Sequence, residues 1–197
     1  VAKAKVEPYT IELWTPRHDA TAFSSGMASI DKYIKNQAPR EMINHVSLVF
    51  VLTEANNIIR AYHSLSGLSV VFAELPEKVR KKLPKYPQMS ATLLGRLGVD
   101  RKYSAELQDR LGEKPRLGEF LLLDAQSKSL QGAMTTAGAA LMIIDAERPT
   151  DEEMANGIRD PLGFYTQYGF APFPGNKRRV FKLTRVIEQE FRAVGLI

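Results

Sequence analysis

The segment "LLGRLGVDRKYSAELQDRLGEKPRLGEFLLLDAQ", from Leu93 to Gln126, followed by "AALMIIDA" from Ala139 to Ala146, constrains the fold most. The first part begins as an apolar strand and ends as an apolar helix. The second is a short, nearly all-apolar run, the pattern of a strand buried on both faces. A strand of that kind needs a neighbour on each side and cover above and below. Between Asp100 and Glu119 lies a basic loop with Gly112 and Gly118. A glycine-bearing loop that feeds a helix N-terminus is a common phosphate cradle.

The rest of the chain shows the same alternation. "YTIELWTP" alternates apolar and polar residues up to Pro16 and reads as an opening strand. "SIDKYIKNQAPREM" places Ile30, Tyr33 and Ile34 on one face behind Ser29, an amphipathic helix. "VSLVFVLTEANNIIRAYHSLSGLSVVF" reads as a hairpin turning at Glu54–Asn57. "LPEKVRKKLPKYPQM" is a basic, proline-rich loop with one helical turn. "DPLGFYTQYGFAPF" is a short helix broken at Gly169, "RRVFKLT" a closing strand and "VIEQEFRAV" a last helical segment. The expected fold is α+β: one domain over 1–197, a mostly antiparallel mixed sheet with helices on both faces.

At 197 residues the chain is long enough to bury a full core, and a quarter of it is charged. It has no cysteine, which removes disulfides, thiolate metal sites and cysteine nucleophiles together. Three scattered histidines offer no metal constellation. No apolar run reaches the ~18 residues of a spanning helix, so no membrane role and a cytoplasmic location are expected. The net charge of +5 suits an anionic ligand or nucleic acid. The basic stretches are "KVRKKLPKYP", with Lys81 and Lys82, "DRKY", and "NKRRVFK", with Arg178 and Arg179. On one face they could track a phosphate backbone; singly, each is an ordinary solvated surface.

"LLGRLGVDRKY", "LGEFLLLDA", "MIIDA" and "GFYTQYGFAPF", in that order, resemble the GNAT superfamily of N-acetyltransferases. "FSSGMASIDKYIKNQA" and "AYHSLSGLSV" resemble its toxin branch, from bacterial toxin–antitoxin pairs. The resemblance runs from Phe23 to Thr184. It implies a splayed pair of strands at "RLGV", acetyl-CoA as cosubstrate and no metal. The strand at Leu97, Gly98 and Val99 would hold the pantetheine arm, with the N–H of Leu97 or Val99 at the thioester carbonyl. Arg116, Leu117, Gly118 and Glu119 would meet the pyrophosphate. The family's loop pattern is altered in "EKPRLG", where Glu113 and Arg116 stand in place of a Gln or Arg and a Gly, and 104–117 looks like an insertion.

The resemblance assigns Tyr165 as the general acid that protonates the departing thiolate, with Tyr168 as a packing residue. It makes an aminoacyl-tRNA the expected acceptor, a small ribbon–helix–helix antitoxin the expected partner and a homodimer the expected assembly. Alternatives are the same fold acetylating a small amine, antibiotic or peptide, and a binding module that has lost its cofactor. No general base stands out: His63, near the splay, reads first as a strand histidine, and His18 and His45 as surface or loop residues. Arg96 could reach the acceptor or pair with a carboxylate. Glu152 and Glu153 read as solvated.

Overall fold

A computed structural model describes residues 11–53, 57–103 and 116–197. Seven strands form one sheet: β1 (Ile11–Leu13), β2 (Leu48–Thr53), β3 (Ile59–Val71), β4 (Gln88–Val99), β5 (Leu141–Asp145), β6 (Ala171–Pro172) and β7 (Arg179–Leu183). Their order across the sheet is β1-β2-β3-β4-β5-β7-β6. Of these seven strands β4 and β5 alone pair in parallel, and the long helix α4 (Leu117–Thr135) makes the crossover between them.

Side-chain alternation along β5 divides the core. Met142 and Ile144 pack with Leu122, Ala125 and Leu130 of α4 and with Ile187 and Phe191 of the C-terminal helix. Leu141 and Ile143 point to the other face, where they meet Leu75, Phe173 and Phe181. These four of the five β5 residues are buried, so the apolar run is a strand covered on both sides. Burial of each such side chain is worth about 1.5–3 kcal/mol.

The second face carries two layers side by side. Near β2 and β3 lie α1 (Ala28–Lys32) and α2 (Ala38–Ile43); Ile30 of α1, with Tyr33 and Ile34 just after it, packs on Val49, Val51 and Tyr62. The two helices are joined by a wide π turn at Tyr33–Gln37. Pro39 explains it: the ring has no N–H to give and crowds the preceding turn, which opens. Near β5 and β7 the same face is covered by α3 (Glu77–Arg80) and its flanks, with Val79 and Leu83 against the sheet. Among the described residues three more helices follow: α5 (Asp151–Ala155), α6 (Leu162–Gln167) and α7 (Thr184–Ala193). Among the described residues no helix is long and apolar enough to cross a membrane.

Candidate active site

β4 pairs with β3 along its whole length, from Gln88 to Val99, but with β5 only from Ala91 to Leu94. Beyond Leu94 the two parallel strands part. The divergence starts at Gly95, which the register skips: Leu65 faces Leu94 and Ser64 faces Arg96. An extra residue in one strand is a β-bulge, which bends that strand and re-aims the residues beyond it.

The hydrogen-bond directions around the bulge determine what lines the gap. Asp100 N–H donates to Arg60 O at 2.8 Å, so Asp100 points toward β3. Successive residues of a strand point their N–H and C=O to alternate edges. Gly98 therefore also points to β3, while Leu97 and Val99 turn their N–H groups into the gap. On the β5 side of the bulge, Ser90 O accepts from Ala140 N at 2.8 Å, which sets the opposite phase before Gly95. Two backbone donors along the open edge are what an extended amide-bearing arm needs to add itself as a strand. The residues present fit the pantetheine arm of acetyl-CoA.

Gly98 serves packing. A Cβ there would lie 2.6 Å from Ile30 Cγ2 and 2.9 Å from Tyr62 Cε1, so its bareness lets α1 seat directly on the strand. Asp100 then ties the strand end to the segment before α1. Its carboxylate accepts from Ser24 N at 3.1 Å, while Arg101 N donates to Ser24 O at 2.8 Å.

The gap opens into a narrow cleft of about 50 Å³ bordered by Ile30, Leu97, Ile144, Asp145, Glu147 and Tyr165, with Arg96 beside them. Tyr165 comes from α6 and is 6% exposed. Phe164 and Phe170 hold its ring by edge contacts at 5.4 and 6.3 Å. Burial pushes the phenol well above its ordinary value of 10, so Tyr165 is a protonated donor at any physiological pH. Behind it, buried Lys182 donates to Tyr168 O at 2.8 Å and to Glu190 at 2.5 Å, pinning the end of α6. Tyr168 packs on Phe164 at 5.1 Å, and burial and a hydrogen bond to Glu119 push its phenol up to about 12.

Two carboxylates border the cleft that strand reading passed over. Asp145 is held by Arg179 in a bidentate pair of 2.7 and 2.8 Å. Glu147, two residues on, is exposed. The sequence signal was available, since both come directly after the buried "MII". Arg96 lies over the Tyr33 ring at 5.5 Å and donates Nη1 to Gly95 O at 2.7 Å, while its buried Nε has no partner.

The other expected residues are spread around this centre. Leu117, fully buried, starts α4, and Gly118 and Glu119 occupy its first turn, with Glu119 accepting from Arg116 N at 3.4 Å. Most of the expected insertion, 104–115, lies outside the described residues. Lys81 pairs with Glu77 at 2.7 Å, and exposed Lys82 comes next, beyond α3. Arg178 is committed to Asp160 by two bonds of 2.9 Å and to Ala146 O at 2.7 Å. Arg178 and Arg179 thus bind carboxylates of their own chain. Glu153 is not merely solvated: it accepts from Ala28 N and Thr150 N, both at 2.8 Å, and joins α5 to α1. His18 is in a loop yet 6% exposed, its Nδ1 accepting from Thr15 N at 2.9 Å.

His63 faces away from the α1 side of the sheet, where Arg96 lies. Its neighbour Tyr62 donates its hydroxyl to Ile30 O at 2.7 Å on the α1 face, whereas His63 lies on the α4 face against Asp124. Full burial lowers its pKa, and the hydrogen bond to Asp124 offsets this only in part, so the imidazole is neutral. That combination describes a core histidine.

No family model matches the chain. A probable toxin TacT of Sinorhizobium fredii is 26% identical over 181 residues, 91% of each chain. A tRNA-acetylating toxin of Mycobacterium tuberculosis is 33% identical over 126 residues, 64% of this chain and 68% of that one. The solved structure of AtaT complexed with acetyl-methionyl-tRNAfMet matches the fold with a TM-score of 0.74 at 23% identity, covering 93% of this chain and 99% of that one. An AtaT mutant bound to the C-terminus of the antitoxin AtaR and acetyl-CoA matches with a TM-score of 0.68 at 18% identity, over 94% and 99%. With a strand splay, a glycine bulge and a buried tyrosine arranged around one cleft, this chain belongs to the tRNA-acetylating toxins, a branch of the GNAT superfamily.

Proposed function

We propose that the protein transfers an acetyl group from acetyl-CoA to the α-amino group of an aminoacyl-tRNA, which removes that tRNA from translation. The observation that carries this is the open edge of β4: the N–H groups of Leu97 and Val99 face the gap left by β5, and Leu97 borders the same cleft as Tyr165. Acetyl-CoA supplies the activated acyl group. The amine nitrogen bonds to the thioester carbonyl carbon and the C–S bond breaks. The backbone donor at Leu97 or Val99 stabilises the charge that grows on the carbonyl oxygen, the most effective kind of electrostatic help for acyl transfer. Tyr165 gives its proton to the departing sulfur.

The attacking amine must shed a proton. Glu147 is the carboxylate available to take it, because Asp145 is neutralised by Arg179. A strong base is unnecessary for this acceptor. Free α-amino groups titrate near 7.7–8.0, and esterification of the adjacent carboxyl lowers that further; lysine side chains, near 10.4, are far less ready. Of the two carboxylates at the cleft, Asp145 is paired with Arg179 and Glu147 shares the lining with Arg96. The site is therefore not a strongly acidic pocket of the kind that draws a small cationic amine, and the chain as a whole is +5. Arg116, Leu117, Gly118 and Glu119 form the cap and first turn of α4, and a helix N-terminus of this kind would receive the pyrophosphate. The relationship to AtaT, bound by AtaR, supports neutralisation by a protein antitoxin, with the ribbon–helix–helix class and a homodimeric toxin as the finer form of this reading.

The test is labelled acetyl-CoA offered to charged tRNA, uncharged tRNA and a panel of small amines in parallel. Label on charged tRNA alone, released by ester hydrolysis, is the expected result. Label on a small amine alone contradicts the assignment.

A further inference from the structure

On the same sheet face as Arg96, a second cavity of about 590 Å³ lies between the α3 segment and the loop leading into β7. Its volume is within the range of ligand pockets, about 300–1,000 Å³. Leu75, Pro76 and Phe173 give it an apolar floor, and Arg80 and Asn176 stand at its wall. Arg179 belongs to it too, and Arg179 is the partner of Asp145, which borders the acetyl-transfer cleft. The Arg179–Asp145 pair therefore reaches from the wall of one space to the wall of the other.

Two polar groups here are incompletely used. The Nε of Arg80 is buried and has no hydrogen-bond partner. A buried guanidinium donor without an acceptor is unfavourable, and an anion such as phosphate satisfies it best. Asn176 spends its side-chain oxygen on the N–H groups of Arg178 and Arg179, at 3.0 and 3.2 Å, which leaves its NH₂ to donate. Of the acids at the rim, Glu77 is paired with Lys81, and Glu74 lies beside Arg179.

From this we infer that the cavity is the seat of the 3′-terminal nucleotide of the acceptor RNA. The base rests on the apolar floor, and its phosphate meets Arg80. The esterified amino acid then crosses the Arg179–Asp145 pair and presents its amine in the cleft. The inference rests on aminoacyl-tRNA being the acceptor. A nucleotide could also come from coenzyme A, but the open edge of β4 and the start of α4 suit that ligand elsewhere on the sheet.

The experiment is an NMR-detected titration of the full chain with the trinucleotide CCA, with coenzyme A absent and then saturating. Variants are Arg80→Ala, Arg80→Lys and, as a remote control, Arg192→Ala, each checked for unchanged thermal unfolding. Arg80→Ala should weaken the trinucleotide about tenfold, the usual scale for a charge-assisted contact. Arg80→Lys should restore part of it, Arg192→Ala should change nothing, and coenzyme A should not displace the ligand. Equal affinity in Arg80→Ala, displacement by coenzyme A, or no binding by the unaltered chain at millimolar ligand would overturn the assignment. Because this readout is binding, it is independent of transfer: CCA bound without acetylation of charged tRNA would sink the proposed reaction and leave the pocket standing.

Discussion

His63 donates its Nε2–H to Asp124 Oδ2 at 2.7 Å, fastening β3 to α4 across the face of the sheet opposite Arg96. Lys128 completes the group by pairing with the other Asp124 oxygen, and Phe50 stacks on the imidazole at 5.0 Å. The histidine nearest the splay is thereby used by the core.

This pair makes stability depend on pH. The folded-state pKa of His63 is lowered below 6.5, so the unfolded chain takes up a proton more readily. Its contribution is present above about 6.5 and is lost as the pH falls below that value, by up to about 1.4 kcal/mol per pH unit. Asp124 is also held below its ordinary 3.8, so its share persists until more acid conditions. Denaturant unfolding from pH 7.5 to 5 should show the loss, and His63→Phe should flatten it. The pH profile of turnover should be the same in His63→Phe, since the ring takes no part in proton transfer.

Tyr165→Phe should lower turnover by about 10²–10⁴, the range of a well-placed general acid. Acetyl-CoA affinity, measured by calorimetry, should hardly change, because the N–H edge of β4 is untouched. Unaltered turnover would remove Tyr165 from the reaction.

Glu147→Gln should reduce kcat/KM for charged tRNA about tenfold at neutral pH and recover as the pH rises and the amine deprotonates unaided. Initial-rate measurements between pH 6.5 and 9 decide it. A uniform loss across that range would mean that Glu147 acts on binding alone.

Gly98→Ala should destabilise the fold by about 1–3 kcal/mol, as Ile30 and Tyr62 already occupy the space of a Cβ. Gly95→Ala meets only Ser64, with Oγ at 3.1 Å, and should cost less in thermal unfolding.

Much of this architecture was legible because apolar periodicity is local information. The buried run at Leu141–Ile144, the helix from Leu117 and the break at Gly169, whose φ is +83°, all sit where the pattern puts them. What was not legible depends on residues far apart. The bulge at Gly95 exists only as an offset between Ser64–Leu65 and Leu94–Arg96. The pairs Arg178–Asp160 and Arg179–Asp145 join partners 18 and 34 residues apart, so a basic stretch that reads as free charge is largely neutralised in place. Glu153 reads as solvated because its partner, the N–H of Ala28, is 125 residues away. The π turn ahead of Pro39 could have been anticipated, since a proline inside a helical pattern must disturb it.

The most direct test of the central claim is the chemical identity of the product. The protein is incubated with acetyl-CoA and an aminoacyl-tRNA, the RNA is digested by nuclease, and the terminal fragment is weighed by mass spectrometry. The account predicts an aminoacyl-adenosine heavier by one acetyl group on its α-nitrogen, formed by the unaltered chain and nearly absent with Tyr165→Phe. An unmodified aminoacyl-adenosine, with acetyl-CoA consumed or bound all the same, would contradict it.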